Sequence, residues 1–478
     1  MTQVRTPIST SEEVRSIRDS IASELAGNSS FQCNQWPAEQ CGRIPLANAS
    51  LSIGDSGTTT KSHTASASPG HLQTSPSVLT EGSLDDSQWS RLPLDHQAHL
   101  TYHQNYLTSH HYFFKHEANF FIHHTLLEHA LTYEPLRFAV VGFAAFHSAL
   151  QNNDSNIQNF LCYYNRAIKL LRRSLANGDK YTDATLMTIL QLATFEVRQS
   201  IFSLPHTNKL QEYLGDWINV LGHQKAAYAM LIELYNVSSI MNVEVRRKIL
   251  AWYSRFDLFA GLMSGYETVL GREWFCANES YYQVQSRKDP SNIDCKIEAA
   301  ISSYRVLAMD MAWLFSRLPR GKISVEDFTK ENKLITERLR TWRQDLDPLI
   351  ANERYLVQSF EVPLEKDLED VVDPYLRRGL YKGALWTINF MLMDWIALDI
   401  MHKYQTAIML KQPSPPELGR MALELCRLFE AVEYWAEGPP GSVLRAQASL
   451  SIAALFLPRD QRHAMWCRRK MAMIEGKG

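Results

Sequence analysis

Closely spaced cysteines are missing from this 478-residue sequence: the seven stand at 33, 41, 162, 276, 295, 426 and 467, and no two form a CxxC. Zinc needs about four soft or imidazole ligands converging within ~2.3 Å, so a cysteine-built zinc module is not expected in this chain. An odd, dispersed set also argues against a disulfide framework and for reduced thiols. Charge of one sign is missing too. The net charge is −2 and the sequence pI about 6.8. Residues 1–95 carry 6 Lys/Arg against 10 Asp/Glu, a net −4. Such a chain has no electrostatic footprint for nucleic acid or an anionic membrane.

Long uncharged apolar runs are absent as well. The longest apolar segments are Phe138–Leu150 and Gly383–Met401, and Asp394 and Asp399 interrupt the second. A bilayer span needs about 20 predominantly apolar residues, so no membrane partner is expected. Met1-Thr-Gln-Val-Arg5 does not read as a secretory leader. Catalytic templates fail in turn: there is no HExxH, P-loop or GxGxxG. Gly54-Asp-Ser-Gly57 imitates a serine-protease string but sits in a Ser/Thr-rich tract with no scaffold to position a triad. Paired aspartates for Mg²⁺ are not found in a suitable place. Asp85-Asp86 precedes the helical region, and Asp367, Glu369, Asp370 and Asp373 read as a solvated acidic turn before Pro374. The expectation is a non-enzyme with no catalytic residues, no metal site and no cofactor.

Apolar material is plentiful, 45% of residues with 11% aromatic, enough for a large core. Residues 50–83 hold 15 Ser/Thr in 34 positions and cannot bury enough apolar surface to offset backbone ordering. Residues 1–95 are therefore expected to be a disordered tail, with Glu12–Ala26 as at most a short acidic helix. From residue 96 the period becomes helical. Ile157, Phe160, Leu161, Tyr164, Ile168, Leu171 and Leu175 repeat at three-and-four spacing up to a stop at Asn177-Gly178. Val245, Ile249, Trp252, Phe256, Phe259 and Met263 do the same before Gly265. Ser324-Val-Glu-Asp327 is a capping-box-like start for a helix over 328–346, with Phe328, Leu334, Ile335, Leu339, Trp342 and Leu346 as its apolar face. Further helices are expected at 292–317, 375–410, 416–436 and 445–471. No stretch alternates with period two, so the fold class is all-α: a large helical array or bundle over 96–478.

Nine of sixteen histidines fall between His96 and His129, and His99 and His103 share a helix face. No carboxylate or cysteine completes a ligand set at diagnostic spacing, and the reading is aromatic-rich helices carrying polar histidines. Arg468-Arg469-Lys470 reads as ordinary surface. The most individual stretch runs from Trp252-Tyr-Ser-Arg255-Phe-Asp257 through Glu267 to Gly271-Arg272-Glu273-Trp274. Charges among dense apolar residues must be paired, which predicts a polar lock between helix ends and a turn, with a ligand pocket as the alternative. Residues two apart on a helix diverge, so Arg255 and Asp257 need different partners, with Glu267, Arg272 or Glu273 nearest in sequence.

Three blocks resemble the fungal-specific transcription factor domain family, the helical regulatory region of zinc-cluster factors. They are Phe138-Ala-Val-Val-Gly-Phe-Ala-Ala-Phe-His147 with Tyr163–Leu171; Gly215-Asp-Trp217 with His223 and Tyr253–Asp257; and Ala446–Leu450 to Pro458 with Trp466–Lys470. The resemblance implies a nuclear regulator of transcription, often dimeric, sometimes gated by a small-molecule effector. It fills out the lock or pocket as Trp217, His223, Trp252, Arg255, Asp257 and Glu273. The sequence departs from the family in lacking the zinc cluster and in stopping at Glu475-Gly-Lys-Gly478, where similar proteins continue. No DNA-contacting residue carries over and no direct DNA binding is expected. The expected partner is a zinc-cluster factor or a second copy of the chain. The alternative is an α-helical interaction scaffold with no role in transcription.

Overall fold

The computed structural model describes residues 86–112, 114–116, 118–151, 160–202, 210–357, 370–373, 379–439 and 441–477, without the side chains of 86, 197–202, 210–220, 475 and 477. The Ser/Thr-rich tract, Glu12–Ala26, Cys33 and Cys41 lie outside the described residues. Among the described residues helical structure starts at Asp86. The first helices are α1 (Asp86–Trp89), α2 (Leu94–Tyr106), α3 (Leu126–Thr132), α4 (Glu134–Gln151), α5 (Phe160–Ala176), α6 (Asp183–Phe202), α7 (Leu210–Leu234), α8 (Val237–Met241) and α9 (Glu244–Ser264). They are followed by α10 (Arg272–Lys288), α11 (Ile293–Arg317) and α12 (Val325–Trp342). The chain closes with α13 (Trp386–Met409), α14 (Leu418–Tyr434), α15 (Gln447–Ala454) and α16 (Gln461–Lys477). Among the described residues the one extended pairing is an isolated antiparallel bridge between Leu356 and Tyr381. The chain is all-α.

Local chemistry sets the helix ends. The Ser324 side chain accepts the Asp327 amide at 3.0 Å and caps α12. Gly265 ends α9 in the left-handed region, φ 67°, which a side chain there would oppose. Pro458 divides the stretch expected as one helix over 445–471. A 3₁₀ turn (Ser442–Ala446) leads into α15, the chain breaks, and α16 starts anew. Of the helix expected over 375–410, residues 375–378 lie outside the described residues and α13 starts at Trp386, because Tyr381 is held in the bridge to Leu356. Leu334, expected on the buried face of α12, is 66% exposed while Ile335 is buried. Neighbours on a helix point about 100° apart, so the stripe can take only one of them.

Two apolar cores result. The first gathers α2 to α10 with the later part of α11 and most of the α12 stripe, around Tyr112, Phe143, Tyr253 and Phe328. Here α4 and α5 approach closely: a Cβ at Gly142 would stand 3.2 Å from that of Tyr163. The second gathers α13 to α16 with Ile297, Ile301 and Trp342, around Phe390, Phe429 and Trp466. Helix α11 serves both: Ile297 and Ile301 face the second core, and Val306 to Phe315 face the first. Tyr304 and Trp395 pack against both cores. Gly383–Met409 is long and apolar enough to cross a membrane by length and composition, and 78% of its most apolar stretch is buried inside the fold.

Candidate functional site

Helix α9 carries the polar lock of the first core. Trp252 donates its indole N–H to Thr194 Oγ1 at 2.9 Å and meets the Tyr112 ring edge-on at 5.4 Å between centroids. Asp257, fully buried, accepts the backbone amides of Val269 at 2.9 Å and Leu270 at 3.0 Å, and the Gln224 side-chain amide. One carboxylate thereby ties α9 to α7 and to the turn that follows α9. Burial raises its pKa to about 6, against the opposing pull of those three donors. Next along α7, His223 Nε2 stands 3.0 Å from Glu196 Oε1, which also accepts the Tyr164 hydroxyl. His223 and Gln224 therefore serve two separate bonds. The Trp217 side chain lies outside the described residues.

The sequence neighbours proposed as partners for Arg255 and Asp257 lie elsewhere. Glu267 takes Lys322 at 2.6 Å, and Arg272 takes Asp310 at 2.8 Å. Glu273 is exposed on the first turn of α10 and does not join the lock. Arg255 instead faces the second core, where it interacts electrostatically with Asp394.

There the two cores meet through a charged seam. Lys115 Nζ lies 2.6 Å from Asp394 Oδ2 and donates to the Arg445 carbonyl at 2.9 Å. Arg445 donates through Nε to His110 Nδ1 at 2.9 Å and through Nη1 to Thr387 Oγ1 at 3.0 Å. Ser449 donates to Asp394 Oδ1, and the Tyr304 hydroxyl donates to the Asp394 carbonyl at 3.1 Å. Burial depresses Lys115 to about 8, and burial together with Arg445 holds His110 neutral at about 2. Arg255 keeps some exposure, yet dense surroundings bring its guanidinium down to about 10. A cavity of about 60 Å³ lies in the seam, lined by Trp252, Arg255 and Phe256 from one side and by Arg445 and Gln447 from the other. Sequence reading brings Trp252 and Arg255 to this site but misses Lys115, Asp394, Arg445 and Gln447. The available signal was Asp394 inside an otherwise apolar run.

The second core has its own lock. Glu430, fully buried, accepts Trp466 Nε1 at 2.6 Å and Lys470 Nζ at 2.8 Å, and Lys470 also reaches Glu433 at 2.8 Å. Burial pushes the Glu430 carboxyl up to about 7, with Lys470 pulling the other way. Arg469 pairs at 2.9 Å with Asp370, which also accepts the Tyr434 hydroxyl at 2.9 Å. The expected solvated turn is thus corrected at Asp370, and the expected surface triplet is corrected at Arg469 and Lys470, while Arg468 is exposed. Asp370 is buried where it accepts from Arg469 and Tyr434, and Lys470 where it donates to Glu430 and Glu433. Asp367 and Glu369 lie outside the described residues.

Three histidines of the rich stretch make local bonds, His103 with the Tyr112 hydroxyl, His123 with the Leu107 carbonyl and His111 with the Thr108 amide at 3.0 Å, while His110 takes Arg445 in the seam and His116 lies 3.2 Å from Asp294. Among the described residues no three His, Cys, Asp or Glu side chains converge as a metal ion would require.

Comparison with known proteins places this geometry in a family. The fungal specific transcription factor domain matches residues 98–361, from within α2 to beyond α12. The match takes in nearly all of the first core and stops before α13, where most of the second begins. No curated protein and no solved structure matches the chain. With more than half of its length covered by that match, the chain belongs to the fungal specific transcription factor domain family.

Proposed function

We propose that this protein regulates transcription in the nucleus by associating with a DNA-bound zinc-cluster factor, with a second copy of the chain as the other candidate partner. The carrying observation is the family match over the first core. Its cysteine spacing and charge support an indirect mode of action. No cysteine pair in the 478 residues is close enough to nucleate a zinc cluster, and the net charge is −2. Lys470 and Arg469, the nearest approach to a basic patch, are engaged by Glu430, Glu433 and Asp370. A regulatory domain joined to a zinc-cluster protein would replace one of two DNA-reading halves. A dimer that loses one half-site contact loses much of its affinity through lost effective concentration, so repression by mixed assemblies is the simplest consequence.

Affinity purification from the native fungus, with transcript profiling after overexpression, tests this reading. Co-purification of a zinc-cluster protein with altered expression of its target genes supports it. If no transcript changes and only unrelated proteins co-purify, the helical interaction scaffold becomes the better reading.

A further inference from the structure

The cavity in the seam is walled by two kinds of surface. Trp252, Phe256 and Phe259 supply an apolar side, while Arg255 and Arg445 bring two guanidinium groups to its lining. The lining residues that keep some exposure, Arg255, Phe259 and Ala448, mark where it opens. The polar groups of the wall are mostly committed: Trp252 to Thr194, Arg445 to His110 and Thr387. Gln447 is different. It is 2% exposed and lines the cavity, yet neither its side-chain nitrogen nor its oxygen has a hydrogen-bond partner in the protein. A buried amide left this way is costly, and native proteins seldom keep one without a ligand, ion or water to complete it.

We propose that this cavity is a binding site for a short-chain hydroxycarboxylate. The carboxylate meets Arg255, where a planar guanidinium matches its two oxygens, and is attracted by the charge of Arg445, whose Nε and Nη1 stay on His110 and Thr387. The Gln447 amide N–H₂ donates to the same carboxylate and its carbonyl accepts the ligand hydroxyl, so one small molecule satisfies both ends of the amide. An ammonium in place of the hydroxyl would be repelled by the two arginines. The volume, about 60 Å³, is well above the ~10–15 Å³ that one water needs and takes the head group and first carbons of an organic acid. The remaining carbons lie along the aromatic side toward the opening. Trp252 and Phe256 belong to the first core, while Gln447 and Arg445 belong to segments packed with the second. A ligand bound between them would therefore hold the two together.

Isothermal titration calorimetry on the full chain tests this independently of any role in transcription, since binding needs only the purified protein. The titrants are lactate, propionate (no hydroxyl) and lactamide (no charge), at matched ionic strength. Lactate is expected to bind, propionate at least about tenfold more weakly, and lactamide with no measurable heat. Gln447→Met removes both ends of the amide at similar volume. It should leave the unliganded melting temperature equal or higher while weakening lactate at least about tenfold. Arg255→Gln, at the partly exposed end, should weaken lactate by a similar factor and provides the test if Gln447→Met does not fold. No heat with lactate, or lactamide or propionate binding as well as lactate, would overturn the proposal. So would a folded Gln447→Met or Arg255→Gln chain with undiminished lactate affinity.

Discussion

The first and second cores bury polar groups by different chemistry. In the first, Trp252 reaches Thr194, Tyr253 reaches the Gln224 carbonyl, and His103 reaches Tyr112, while Asp257 is satisfied by amides instead of a cation. In the second, Glu430 and Glu433 hold Lys470, and Asp370 holds Arg469. Neutral hydrogen bonds avoid the desolvation cost of paired charges, whereas an ion pair needs both partners in place. The family match takes in the first arrangement and ends before the helices that build the second. The seam combines both chemistries, with a Lys115–Asp394 pair set among hydroxyl and carbonyl bonds.

Acid should separate the two cores most strongly. His103 is held near 3 and His110 near 2, both mainly by burial, and His402, bonded to Asn332 at 2.9 Å, near 4. Each lies below the ordinary value of 6.5. Their stabilisation is complete above that value and is lost as pH falls toward the folded pKa, because the unfolded chain binds the proton first. At pH 5 the loss is on the order of 2 kcal/mol per histidine. Asp257 and Glu430 are raised, so each adds stability as pH falls through about 6 and about 7 respectively. The first core and seam are expected to weaken between pH 7 and 5 while the second holds. Urea midpoints at the two pH values check this, and an unchanged midpoint would contradict it.

Large aromatic truncations should cost the two cores alike. Trp252→Ala and Trp466→Ala, at 3% and 1% exposure, are each expected to lose about 3–5 kcal/mol in urea unfolding. A loss below 1 kcal/mol at either site would show that its core is not packed as described. Asp257→Ala leaves the Val269 and Leu270 amides and the Gln224 side chain without their acceptor, and about 3 kcal/mol is expected. Glu273→Gln should stand at the other extreme, within about 0.5 kcal/mol, because the side chain is exposed and outside the lock. A double-mutant cycle of Glu273 with Arg255 should show no coupling. Coupling above about 0.5 kcal/mol would restore the pair suggested by sequence proximity.

Much of the first core was legible because period and caps are local signals. The α9 stripe led to Trp252 and Phe256, Gly265 marked its end, and Ser324 marked the start of α12. Met263, the last residue of the same stripe, is instead 57% exposed. The seam was not legible. Lys115 and Arg445 are 330 positions apart and His110 and Arg445 are 335 apart. No single-sequence pattern reports a contact at that separation. Asp370 and Lys470 misled for the same reason: a charged residue in a turn or on a helix reads as solvated until its distant partner is known.

The joining of the two cores through Asp394 is tested most directly by hydrogen exchange with mass spectrometry on the parent chain and Asp394→Asn. The substitution keeps the shape of the side chain but removes the charge that holds Lys115. Loss of one partner of a nearly buried pair costs about 3–5 kcal/mol. The expected result is faster exchange on both sides of the seam, in residues 107–116 from the first core and 442–449 from the second. Faster exchange confined to α13, or none, would contradict the role of Asp394 as the tie between them.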